Sequence, residues 1–147
     1  MKHNNKNQQG GLTDIFINLI EKGIDRIVGL FLPKAGFNVF KPGEMSKRWD
    51  EIEKIRGNLA VIEADKLTDG ILKKANISGT SMADRIRKTE SIVDPGVYQG
   101  MWDAHKLRNS LVHDVDRVIN FNEINLALLK IKKYLIELGA FKNDRKV

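Results

Sequence analysis

The chain has no cysteine, which excludes a disulfide framework, a thiolate zinc site and a cysteine nucleophile. The cytoplasm is the compartment expected by default. Histidine is nearly as scarce, with only three residues, His3, His105 and His113. His3 lies in a polar leader, so a multi-histidine metal cage within one chain is not expected, and the sequence implies neither metal nor cofactor. There is no Gly-rich phosphate loop of P-loop spacing, no H-E-x-x-H and no evident serine triad. No stretch alternates apolar and polar residues over a strand's length with turn signals on both sides, so no sheet is expected.

What is present describes an ordinary globular chain. Its 147 residues, 41% hydrophobic and 30% charged, have room for one domain with a real core but not comfortably for two. The net charge of +6 is concentrated at the ends: Lys2, Lys6, Lys142, Asp144, Arg145 and Lys146 together contribute +4 and leave the body near +2. A nearly balanced body argues against a broad phosphate-tracking surface, though not against a small phosphate-binding site.

Turn signals and periodicity divide the chain. Residues 1–11 form a polar leader without the apolar run of a signal peptide, and are expected to be disordered. Residues 12–32 are rich in Ile, Leu and Phe but interrupted by Asp14, Asn18, Glu21, Lys22, Asp25 and Arg26. That spacing gives an amphipathic helix that is too polar to span a membrane. It would pack on the domain or on a partner; weak peripheral membrane contact is the other reading, and few Lys or Arg on the polar face speak against it. Residues 33–45, punctuated by Pro33 and Pro42-Gly43, are a connector.

The expected domain spans residues 46–141, followed by a basic tail at 142–147. Ser46 is a candidate N-cap for a long helix carrying Trp49, Ile52, Ile55, Leu59, Ile62, Leu67 and Ile71 as far as about Ala75, with Gly57 or Gly70 as points of bending. Ser81 and Asp84 make a capping box for a short helix ending near Lys88. Asp94-Pro95-Gly96 breaks the chain before a third helix from about Val97 to Val112. Asn120 and Glu123 open the last helix, whose stripe of Ile124, Leu128, Ile131, Leu135 and Leu138 ends at Gly139. The expected fold is all-α, a bundle of four helices preceded by an extra N-terminal amphipathic helix.

The third helix carries the candidate chemistry. On a wheel of ~100° per residue, Val97, Gly100, Ala104, Leu107 and Leu111 form a burying face. Tyr98, Met101, His105, Asn109 and Val112, with Trp102 beside them, form a second face of mixed character that suits a subunit interface or a polar cleft. A satisfied polar pair inside the core is the plainer reading of His105 and Asn109. Arg108 lies at the border.

Arg108, the polar Asn109 beside it and His113 near the end of a late helix resemble the motif of the higher eukaryotes and prokaryotes nucleotide-binding (HEPN) superfamily. The segment Trp102–Asp114 is also similar to the longer form found in many small bacterial HEPN-like proteins, and the likeness extends over roughly residues 46–139. The resemblance implies a four-helix HEPN-like bundle and a metal-independent endoribonuclease, toxin-like or RNA-processing, acting on RNA. His113 would serve as general acid and base and Arg108 would stabilise charge on the phosphate. Asn109 and His105 would support the pair. The products would be a 2′,3′-cyclic phosphate and a 5′-hydroxyl. Partners implied are a second copy, meeting through the third bundle helix, and a possible antitoxin protein. The other reading is a non-catalytic HEPN-like module for binding or dimerisation.

Two expectations concern geometry. On an unbroken helix Arg108 and His113 stand about 140° apart and ~7.5 Å along the axis. They meet only if the helix ends just before His113 or if a dimer assembles the site. Glu63, close to the middle of the stripe of Ile52, Leu59 and Leu67, would be costly there without a partner. It is expected either to pair with Arg108 or to reach water at the stripe's edge.

Overall fold

A computed structural model describes residues 36–114 and 116–144 of the chain. The leader, the amphipathic segment 12–32 and the end of the basic tail lie outside the described residues. Within them the fold is all-α. Five α-helices, α1 (Glu44–Glu53), α2 (Asn58–Lys74), α3 (Met82–Arg87), α4 (Pro95–His113) and α5 (Phe121–Leu138), are followed by a 3₁₀ turn at Lys142–Asp144. No strand occurs among the described residues, and no helix among them is long and apolar enough to cross a membrane.

The helix boundaries follow local chemistry. Asp94 caps α4 by accepting from the N–H groups of Gly96 and Val97, with Pro95 as the first helical residue, where its missing N–H costs nothing. Ser81 with Asp84, and Asn120 with Glu123, form reciprocal capping boxes at α3 and α5. Gly139, at φ 88°, ends α5 in the left-handed conformation that favours glycine.

The long first helix expected from Ser46 to Ala75 is two helices, because Gly57 takes φ 70° and ψ −158°. That conformation belongs essentially to glycine, and it breaks the helical hydrogen-bond ladder between Glu53 and Asn58. The start is also earlier than Ser46. Helix α1 begins at Glu44, and the carboxylate of Asp144 accepts from the N–H groups of Gly43 and Ser46. A cap delivered from the far end of the chain has no local sequence signature. The same turn places Asn143 against Asn38 and the Phe40 carbonyl, so the C-terminal part of the domain reaches Asp144.

Helices α4 and α5 pack on each other, and α2 lies across both, with α1 and α3 packed against α2. The core is contributed by every helix: Trp49, Val61, Ile71, Leu72, Ile86, Met101, Ile131 and Leu135 are all fully buried. Each full-sized apolar side chain contributes about 1.5–3 kcal/mol on complete burial, so the stripe on α5 alone is a major part of the driving force. Tyr134, also buried, hydrogen-bonds the Thr89 hydroxyl, which in turn donates to the Ile86 carbonyl.

Candidate functional site: a polar ring between two helices

Breaking the first helix resets its phase. The buried face of α2 is Ala60, Val61, Ala64, Asp65, Thr68, Ile71 and Leu72. Asp65 is therefore a carboxylate in the core, with 2% of its surface exposed, and it requires partners. Helix α4 provides them. His105 Nδ1 stands 2.9 Å from Asp65 Oδ1, and Arg108 Nε stands 3.4 Å from Oδ2.

Two further contacts close the group into a ring. Arg108 donates from a terminal guanidinium nitrogen to Asn109 Oδ1 at 3.1 Å. The amide nitrogen of Asn109 lies 3.3 Å from His105 Nε2. A guanidinium only donates, so it must face the amide oxygen of Asn109, which turns the amide N–H groups toward His105. The ring is complete except at one point. The 3.4 Å approach of Arg108 Nε to Asp65 is an ion-pair contact without hydrogen-bond alignment, and that buried N–H has no directed acceptor.

Glu63 is not the partner of Arg108. It is half-buried and pairs across one helical turn with Lys66 at 3.6 Å. With the phase reset at Gly57, Glu63 points away from the face that meets α4, and Leu59, assumed to mark the buried stripe, is 52% exposed. Of the two expectations for Glu63, the place at the stripe's edge is the one that stands, and the acid beside Arg108 is Asp65, two residues on. The signal that finds Asp65 is the small and β-branched run Ala60, Val61, Ala64, Thr68 and Ile71, read from Asn58 rather than from Ser46.

On the second face of α4 the plainer reading of His105, a satisfied polar residue inside the core, is the one the structure shows. Met101 and His105 are both buried within the chain, His105 against Asp65 of α2. What remains accessible on that side is partial: Tyr98, Trp102 and Asn109 are half-buried and Val112 is exposed. The rings of Tyr98 and Trp102, and of Trp102 and His105, meet edge to face with centroids 6.2 and 6.1 Å apart, which holds the imidazole from its apolar side.

The helix runs unbroken through His113, so the first route to an Arg108–His113 meeting is closed. Arg108 turns toward α2, whereas His113 is exposed on the last turn and bonds to none of the described residues. Within one chain the structure does not bring the two together. Their end of the bundle is notable for apolar exposure. Asn58 donates to the Arg117 carbonyl and accepts from the Ile119 N–H, which ties the start of α2 to the α4–α5 connection; Leu59 on α2, Val118 in the connection, Val112 in the last turn of α4 and Phe121 at the start of α5 are exposed.

A second Asp–Arg pair lies one turn along α2. Arg85, from α3, donates from Nε to Asp69 at 2.8 Å and from a terminal nitrogen to the Gly79 carbonyl at 2.6 Å, while its other terminal nitrogen makes a 2.6 Å ion-pair contact with the same Asp69 oxygen. A Cβ at Gly79 would lie 3.0 Å from the Arg85 side chain and 2.9 Å from Asp84 Cβ, so glycine permits that approach. Burial alone would raise the Asp69 carboxyl, but hydrogen bonds and charge from Lys73 and Arg85 outweigh it and hold it below the usual aspartate range.

No group of three or more His, Asp or Glu side chains among the described residues is arranged to hold a metal ion. Compared with known proteins, the chain matches no family model, no curated protein and no solved structure.

Proposed function

We propose that this chain is a metal-independent endoribonuclease of HEPN type, acting in the cytoplasm, with Arg108 binding the scissile phosphate and His113 as general acid and base. The observation that carries this reading is the state of Arg108. Its side chain is 32% exposed and is held by Asp65 and Asn109; the N–H that lacks an acceptor, on Nε, is buried against Asp65, so it is the exposed remainder of the guanidinium that would meet a phosphate. A guanidinium that is fixed but not consumed is suited to charge developing on a phosphate.

The reaction needs a proton acceptor at the 2′-hydroxyl. Neutral imidazole of His113 would take that proton; the 2′-oxygen attacks phosphorus, the bond to the 5′-oxygen breaks, and the leaving oxygen receives a proton from an imidazolium. The 2′,3′-cyclic phosphate and 5′-hydroxyl ends follow. Because Arg108 and His113 of one chain diverge, the working site requires His113 of a second copy. Exposed Val112, Val118, Phe121 and Leu59 at that end of the bundle support such a contact.

The test is cleavage of varied RNAs in EDTA by wild type, Arg108→Ala and His113→Ala proteins. Loss in both variants, with cyclic-phosphate products from wild type, is expected; equal cleavage by all three, or none by any, overturns the reading. The ion pair from Arg108 to buried Asp65 favours a second reading, a non-catalytic module for binding or dimerisation in which Arg108 only ties α4 to α2. Unfolding of Arg108→Ala would support it.

A further inference from the structure

Asp65 has no place in the resemblance that points to Arg108 and His113, yet it is the group around which α4 is arranged. Following donors and acceptors around the ring leaves one consistent assignment. The Asp65 carboxylate can only accept, and beside it Arg108 Nε stands as an ion pair without hydrogen-bond alignment. His105 Nδ1 therefore carries a proton and donates to Oδ1 at 2.9 Å. Asn109 turns its amide nitrogen toward His105 Nε2 at 3.3 Å, because its oxygen is occupied by Arg108 at 3.1 Å. A nitrogen facing that donor must offer a lone pair, so His105 is the neutral imidazole with its proton on Nδ1.

We infer that Asp65, acting through His105 and Asn109, is the positioning residue that sets how Arg108 presents its guanidinium. It does so by two routes. Directly, its Oδ2 attracts Arg108 Nε by charge. Indirectly, it selects the His105 tautomer, the tautomer selects the orientation of the Asn109 amide, and the amide oxygen holds the far side of the guanidinium. His105 is then a buried relay and not a base: both ring nitrogens are engaged and 7% of the residue is exposed. This assignment rests on the reading of Arg108 as the phosphate-binding group, but the ring itself is testable without RNA.

The test uses the full chain labelled with ¹⁵N. Long-range ¹H–¹⁵N correlation of the imidazoles at neutral pH should show His105 with a protonated Nδ1 and an unprotonated Nε2, the less common tautomer, assigned by its loss in His105→Gln. Asp65→Asn keeps the shape but removes the charge, and should lower RNA cleavage about 10–100-fold, as loss of an outer-shell partner does, with kcat falling more than KM rises. His105→Gln can donate to Asp65 through its amide nitrogen and accept from Asn109 through its oxygen; it should cleave better than His105→Leu. A folded wild-type chain with His105 protonated on Nε2 overturns the ring whether or not RNA is cut. The Nδ1–H tautomer in a chain that cuts no RNA supports the ring and defeats the nuclease reading. Cleavage undiminished in folded Asp65→Asn defeats the positioning role while leaving the nuclease reading intact.

Discussion

Helix α2 holds two aspartates one turn apart, and each faces an arginine from a different helix. Asp69 and Arg85 hold one another closely: two hydrogen bonds and a 2.6 Å ion-pair contact engage the guanidinium, 7% exposed, with a carboxylate and a backbone carbonyl. Asp65 and Arg108 do not. Their contact is 3.4 Å, one N–H is left over, and the guanidinium reaches solvent. The difference separates an arginine that holds the fold together from one that the fold holds in place. Both are Asp–Arg pairs on α2, and contact distance, donor use and guanidinium exposure, 7% against 32%, distinguish them.

The comparison is broken most severely if Arg108 matters to folding as Arg85 does. Arg108→Ala should reduce RNA cleavage about 100- to 1,000-fold, the scale of losing one transition-state charge donor, while the protein remains folded by circular dichroism. Arg85→Ala should do the reverse, costing about 3 kcal/mol in urea unfolding because it leaves a largely buried acid short of its main partner. Cleavage by the folded remainder should be unchanged. If the two variants behave alike, the distinction drawn from their hydrogen bonds has no functional meaning.

A smaller effect concerns the glycine that created the two faces. Gly57→Ala places a Cβ on a backbone at φ 70° and ψ −158°, and should cost about 1–3 kcal/mol in thermal or urea unfolding. Little or no cost would imply that the break between α1 and α2 relaxes easily, and with it the register that buries Asp65. Smaller again is the acid limb of stability. The Asp69 carboxyl is depressed in the folded state, so its contribution is complete above the unfolded aspartate value, near pH ~4, and is lost as pH falls through the lower folded value. Asp69→Asn should flatten that limb in a stability-against-pH series, whereas His113→Ala, at an exposed site, should shift stability within about 0.5 kcal/mol.

Much of the fold was legible in the sequence because it is written in local chemistry. The caps at Ser81 and Asn120 and the end of α5 at Gly139 each act over a few residues and appear where their residues predict, whereas α4 starts at Pro95, two residues before the expected Val97, because Asp94 caps it. The parts that were not legible depend on distance. Asp144 caps α1 from across the domain, so Ser46 was a reasonable but incorrect start. Gly57 was visible as a weak point, but whether a helix bends or breaks there depends on what α2 packs against. That decision moved the buried acid from Glu63 to Asp65. On the mixed face of α4 the burial of His105 was legible as a satisfied core polar residue, but its partner Asp65 was not, because that depends on the phase of α2.

The central claim is that Arg108 and His113 work together across two copies of the chain. The direct measurement is complementation: Arg108→Ala and His113→Ala proteins, each folded and inactive alone, are mixed in equal amounts and assayed for RNA cleavage in EDTA. Random exchange between symmetric dimers should restore roughly a quarter of wild-type activity, since half the dimers then carry one intact site. A mixture no more active than its components would contradict the account.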